Sequence, residues 1–110
     1  MLQDYPNTQL FINGEWQNSK SNETLEIINP ATEEVIGKLS HARKEDLDVA
    51  LNAAENAFNE WKNVSAYERS KIMRKAADIF RSRADYIAKL MTIEQGKPLV
   101  EAKIETLGAA

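Results

Sequence analysis

Glu94, Gly96, Lys97 and Pro98 stand close together in the stretch LMTIEQGKPLVEAKIE, residues 90–105, and their types allow three kinds of chemistry. A Gly-Lys pair occurs in loops that cradle phosphate, flanking acids suit proton transfer or cation binding, and Gly followed by Pro also ends one helix and starts another. The phosphate reading fails on spacing. No glycine stands upstream of Gly96 where the loop needs one, no Ser or Thr follows Lys97, and Pro98 has no N–H to offer an anion. The four glycines, Gly14, Gly37, Gly96 and Gly108, are too scattered for a dinucleotide fingerprint, in which backbone must approach pyrophosphate closely. His41 is the sole histidine, so no multi-histidine metal site can be built, and beside a basic helix start it reads as a solvent-exposed side chain. Glu33 and Glu34 adjoin in a turn with nothing apolar to separate their pKa values, the mark of a solvated pair and not of a matched acid and base. No serine has a partner base in the sequence; Ser65 and Ser82 read as helix caps. The absence of cysteine excludes disulfides, thiolate metal sites and a thiol nucleophile within these 110 residues.

Charge adds no ligand class. The formal net charge of −3 gives no positive field for a polyanion. Arg69, Lys71, Arg74, Lys75, Arg81 and Arg83 do cluster, but acids on neighbouring segments offset them and no aromatics are interleaved for base stacking, so no nucleic-acid partner is expected. No opening segment joins basic residues to a long apolar run, which argues against export and membrane insertion and for a cytoplasmic protein. With 43% apolar and 28% charged residues the composition is that of a globular chain able to bury one core.

The elements that must position these residues follow from local pattern. Residues 1–9 are polar and aperiodic, an arm or cap that needs a neighbour to order it. Asn13-Gly14, between Leu10–Ile12 and Trp16, predicts a hairpin with a type I′ turn, because both central residues need positive φ. A polar loop follows, then β-rich runs at Thr24–Ile28 and Val35–Leu39 around Pro30, a second hairpin. From Lys44 the period changes. Leu47, Ala50, Leu51, Ala54, Ala57, Phe58 and Trp61 recur at helical steps, with Glu45, Asp46 and Asp48 in the first turns where the helix dipole favours acids and Trp61 completing a core stripe.

Ser65 with Glu68 predicts a capping box and a second helix, and Ser82 with Asp85 a third. Gly96 then serves as the C′ residue of the third helix and Pro98 as the first residue of a fourth, whose Leu99, Ala102, Ile104 and Leu107 should share a face. The fourth helix reaches Ala110 without a stop signal, so the expectation is a longer protein interrupted there. The predicted class is an α+β fragment with an arm and β hairpins over residues 1–43 and helices over 44–110. Read without any family, the residues give a soluble α+β segment with no visible active site, and a free-standing helical interaction module that buries its stripes against a partner is the alternative reading.

The ordered set FINGEW, INPATEEVIGKL, AFNEWK, ERSKIMRKAADIFRSRADYIAKLMTIEQGKP and EAKIE resembles the N-terminal part of the NAD(P)-dependent aldehyde dehydrogenase superfamily. Residues 90–105 are especially similar to the succinate-semialdehyde dehydrogenase branch, with glutarate-semialdehyde and glycolaldehyde enzymes sharing much of the motif. The resemblance implies that residues 1–110 are the N-terminal part of the cofactor-binding domain of a larger α/β enzyme, a homodimer or homotetramer that oxidises an aldehyde to a carboxylic acid. It implies a cysteine thiolate that attacks the carbonyl, hydride transfer to NAD or NADP, and a glutamate-activated water, all contributed from beyond Ala110. It also implies a structural monovalent cation held by the backbone carbonyls of Ile27 and Ile28 and the side chain of Glu94. Many family members carry aspartate where Glu94 stands, so the longer side chain changes the reach of that donor.

Overall fold

Two hairpins and four helices follow one another in the computed structural model, which describes residues 5–110; residues 1–4 of the anticipated arm lie outside the described residues. The strands are β1 (Leu10–Ile12), β2 (Glu15–Gln17), β3 (Thr24–Ile28) and β4 (Val35–Ser40), and the helices are α1 (Lys44–Trp61), α2 (Ala66–Ser82), α3 (Ala84–Gln95) and α4 (Leu99–Ala109). The chain forms two compact units. One comprises residues 6–27 and 36–64; the other comprises residues 28–35 and 65–110 together with Tyr5.

In the first unit β1 and β2 pair antiparallel, with Phe11 opposite Trp16 and Ile12 opposite Glu15. Asn13 and Gly14 have φ values of 54° and 81°, as the I′ turn requires. The Phe11 and Trp16 rings lie 4.8 Å apart in a tilted arrangement. Thr8, in the remainder of the anticipated arm, bridges to Leu39: its N–H donates to the Lys38 carbonyl at 3.1 Å and its carbonyl accepts from the Ser40 N–H at 2.8 Å. Helix α1 packs on β1, with Ala50 and Ala53 half-buried. Leu47, Leu51, Phe58 and Trp61 are exposed, so the long apolar stripe of α1 is not a core within these residues, and the core role expected of Trp61 is corrected by its 41% exposure. A stripe this wide has two flanks, and only the alanine flank meets the hairpin.

In the second unit α3 and α4 pack closely, and α4 also meets α2. The buried seam consists of Ala84 and Ala88 of α3 and Ala102 and Thr106 of α4. Small residues let the two backbones approach, and Thr106 settles its hydroxyl by donating to the Ala102 carbonyl at 2.8 Å. The anticipated face of α4 therefore shifts: Leu99, Ile104 and Leu107 are exposed, and of the four named positions only Ala102 is buried.

Two cap assignments also change. Ser65 caps α2 by accepting from the Glu68 N–H at 3.2 Å, while the Glu68 carboxylate turns to Lys71 at 3.0 Å, so only half of that box forms. Ser82 remains inside the last turn of α2, where its hydroxyl donates to the Ile79 carbonyl at 2.7 Å, and Arg83 becomes the residue between α2 and α3. Ser82 keeps its lone pairs, but as a helical residue of α2 it does not occupy the cap position from which its oxygen could accept from the first N–H groups of α3.

Candidate functional site

Gly96 does close α3. Its φ of 74° is left-handed and its N–H donates to the Thr92 carbonyl at 2.9 Å. Pro98 is the cap residue of α4 and not its first helical residue, with φ −55° and ψ 137°, and its carbonyl accepts from the Ala102 N–H at 3.0 Å. A Cβ on Gly96 would lie 3.4 Å from Cγ of Pro30, so the helix junction and the turn of the second hairpin meet here at van der Waals contact. Lys97 forms an ion pair with Glu105, and Lys103 pairs with Asp85 at 2.7 Å; the Lys103 ammonium holds the Asp85 carboxyl below its ordinary value. Both pairs link α3, or the turn after it, to α4. They are exposed and add little stability individually.

The residues assigned to a cation are placed as follows. Ile27 and Ile28 are the last two residues of β3, and Glu94 is exposed in the last turn of α3. Ile28 and Glu94 belong to the same compact unit, whereas Ile27 belongs to the other. Two carbonyls and a carboxylate are the oxygen chemistry a hard cation takes. The hydroxyl of Thr92 is buried with no hydrogen-bond partner among the described residues, but it stands two positions from Glu94 and so projects from another side of the helix. Among the described residues no three His, Cys, Asp or Glu side chains gather as a metal cluster.

The described residues contain no glycine-rich strand-to-helix turn of the kind that cradles a dinucleotide. Both sheets are two-stranded, and Gly14 and Gly96 serve a hairpin turn and a helix end, not a strand-to-helix phosphate turn. His41 donates its backbone N–H to the Glu23 carbonyl at 2.8 Å, and its Nδ1 lies 3.8 Å from the Glu23 carboxylate, which also pairs with Arg43. Glu33 and Glu34 are both exposed. Asn29 organises their turn: its side chain accepts from the Ala31 N–H at 2.9 Å, and its carbonyl accepts from the Glu33 N–H at 2.8 Å. On α2, Lys71 and Arg81 are engaged by Glu68 and Asp78 three residues away, consistent with a salt-bridged face.

The polar group that sequence reasoning undervalues is Asp46. Buried to 5% exposure, it accepts from the Arg43 N–H at 2.9 Å with one carboxylate oxygen and from the Lys20 N–H at 3.0 Å with the other. The first bond is the reciprocal arm of a capping box, legible from an acid three residues after the cap. The second reaches back 26 residues and leaves no local signal. These backbone donors, Arg43 first and Lys20 next, lower the Asp46 pKa below its ordinary value. A depressed carboxylate contributes stability that is present above its unfolded pKa of about 4 and is lost as pH falls through the folded value. Asp46→Asn should therefore lower the melting temperature at neutral pH and flatten the acid limb of a stability–pH profile. Unchanged melting from neutral to acidic pH would show that the staple is idle.

Two hairpins followed by four helices make an α+β chain whose architecture matches the N-terminal piece of an aldehyde dehydrogenase fold. Residues 16–110 match the aldehyde dehydrogenase family, and the chain belongs to that family. A curated relative from Staphylococcus aureus (strain bovine RF122 / ET3-1) is 47% identical over 98 residues, 89% of this chain and 20% of the relative. Among solved structures, an E. coli NADP-dependent enzyme superposes with a TM-score of 0.90 at 36% identity, covering 92% of this chain and 21% of that one. A point mutant of betaine aldehyde dehydrogenase from Staphylococcus aureus, in complex with NAD+, gives 0.88 at 35% identity over 93% of this chain and 21% of that one. The chain thus spans about one fifth of the length of the relatives it matches. No helix among the described residues is long and apolar enough to cross a membrane.

Proposed function

We propose that residues 1–110 form the N-terminal part of the cofactor-binding domain of a cytoplasmic NAD(P)-dependent aldehyde dehydrogenase, a homodimer or homotetramer oxidising a small semialdehyde such as succinate semialdehyde. The observation that carries this reading is the family match across residues 16–110. The similarity of residues 90–105 to the succinate-semialdehyde branch supports the substrate class, and the NAD+ and NADP named for the two solved relatives support the cofactor class. This stretch contributes packing surface to the enzyme and no reacting group: it has no thiol to attack a carbonyl and no glycine-rich turn to hold pyrophosphate. The family match favours this over a free-standing interaction module.

The test is to assay the complete gene product against succinate semialdehyde, glutarate semialdehyde, glycolaldehyde and betaine aldehyde with each cofactor. The highest kcat/KM is expected for succinate semialdehyde. Preference for betaine aldehyde would overturn the substrate assignment while leaving the family intact.

The Ile27 and Ile28 carbonyls with the Glu94 carboxylate hold a monovalent cation in that enzyme. Sodium or potassium should raise the melting temperature of the wild-type enzyme, and Glu94→Gln should remove most of that increment. An equal increment in both proteins would exclude Glu94 as a ligand.

A further inference from the structure

The Asn13-Gly14 turn carries a reactive backbone as well as a shape. Asn13 and Gly14 are both exposed, and a Cβ built on Gly14 would meet nothing within 4 Å. Among the described residues neither the Asn13 side-chain amide nor the Gly14 N–H has a hydrogen-bond partner, because the ladder's last rung pairs Ile12 with Glu15. Of the nine asparagines, only Asn13 precedes a glycine; the others precede Thr8, Ser19, Glu23, Pro30, Ala53, Ala57, Glu60 and Val64, whose side chains or ring crowd the following nitrogen. The turn is also poorly defended. Strands β1 and β2 have three residues each, β2 is exposed throughout, and among the described residues their sheet has no third strand. A two-stranded hairpin of this length is marginal by itself in water, and here only β1 is backed, by α1 through Ile12, so the exposed turn end is the part that opens locally at small free-energy cost.

We infer that Asn13 is a self-modification site of this chain, at which the Gly14 backbone nitrogen closes on the Asn13 side-chain carbonyl to give a succinimide and then aspartate or isoaspartate. In the first step the bond from the Gly14 nitrogen to Cγ of Asn13 forms and the Cγ–Nδ2 bond breaks, and Nδ2 leaves as ammonia with the proton displaced from Gly14. In the second, water adds to either carbonyl of the ring, that carbonyl's bond to the Gly14 nitrogen breaks, and the nitrogen takes up a proton from the water to become an amide N–H again. Addition at the side-chain carbonyl leaves an ordinary aspartate at position 13, and addition at the backbone carbonyl routes the main chain through the side chain. The second product lengthens a two-residue loop by one carbon, which a type I′ turn cannot accommodate, so the Phe11–Trp16 contact separates.

The experiment incubates the intact 110-residue chain at mildly alkaline pH without denaturant. Peptide mapping and methyl transfer by an isoaspartyl methyltransferase locate the product, and Trp16 fluorescence follows the hairpin. Product at position 13 should form roughly tenfold or more faster than at any other asparagine, since only glycine lacks a Cβ in the path of attack. Asn13→Gly keeps a glycine-tolerant I′ turn and should abolish the label. Label spread evenly over the other asparagines would overturn the inference. So would label at position 13 only after denaturation, since the hairpin would then protect the site.

Discussion

Residues 1–110 supplied with succinate semialdehyde and either NAD or NADP yield no reduced nicotinamide, and titration with either dinucleotide gives no binding heat. Two independent deficits produce this expected result. Thiohemiacetal chemistry needs a thiolate, and these residues contain no cysteine. Dinucleotide binding needs closely spaced glycines between a strand and a helix N-terminus, and Gly14 and Gly96 are committed elsewhere. Each deficit alone abolishes turnover. The informative comparison is with the complete gene product under identical conditions, where the rate should rise from undetectable to that of an ordinary dehydrogenase. Turnover by the short chain alone would remove the scaffold role assigned to it.

Ala102→Leu is expected to be the most damaging single substitution in the second unit. Ala102 is 0% exposed, and with Ala84, Ala88 and Thr106 it forms the seam where α3 and α4 approach. A leucine there adds three carbons where there is no room, which forces the helices apart at a cost of about 1–3 kcal/mol. It also displaces the Ala102 carbonyl from the Thr106 hydroxyl, now 2.8 Å away, leaving a buried group unpaired. The readout is the urea midpoint followed by helical circular dichroism. Val100→Ala, at a position 73% exposed on the same helix, should change stability by no more than about 0.5 kcal/mol. Equal midpoints for Ala102→Leu and the parent would show that the seam is looser than its burial indicates.

Little else in the described residues is buried. Among them Ile12 is the only large apolar side chain in the core, while Leu51, Phe58, Ile72, Met73 and Phe80 are all open to solvent. That distribution agrees with the proposed role as one part of a larger enzyme, since exposed apolar side chains lined up along α1 and α2 are the kind of surface that a neighbouring element covers.

The elements and their ends were legible in the sequence, because they depend on neighbours along the chain. Asn13-Gly14 specified a turn through positive φ, Gly96 a left-handed helix end, and Ser65 a cap, and each stands where local chemistry placed it. Ser82 departs from its expected cap role because the same hydroxyl has a second local option, the carbonyl of Ile79. Which apolar residues are buried is a matter of packing between elements, and local pattern does not carry it. Leu99, Ile104 and Leu107 are the more hydrophobic positions of α4, yet Ala102 and Thr106 are buried, because the distance between two helices is set by the small side chains facing each other across the seam. Tertiary folding also gave Asp46 its second partner, Lys20. The helix dipole explains an acid near the start of α1, but only the folded loop places a backbone N–H from 26 residues upstream within 3.0 Å of its carboxylate.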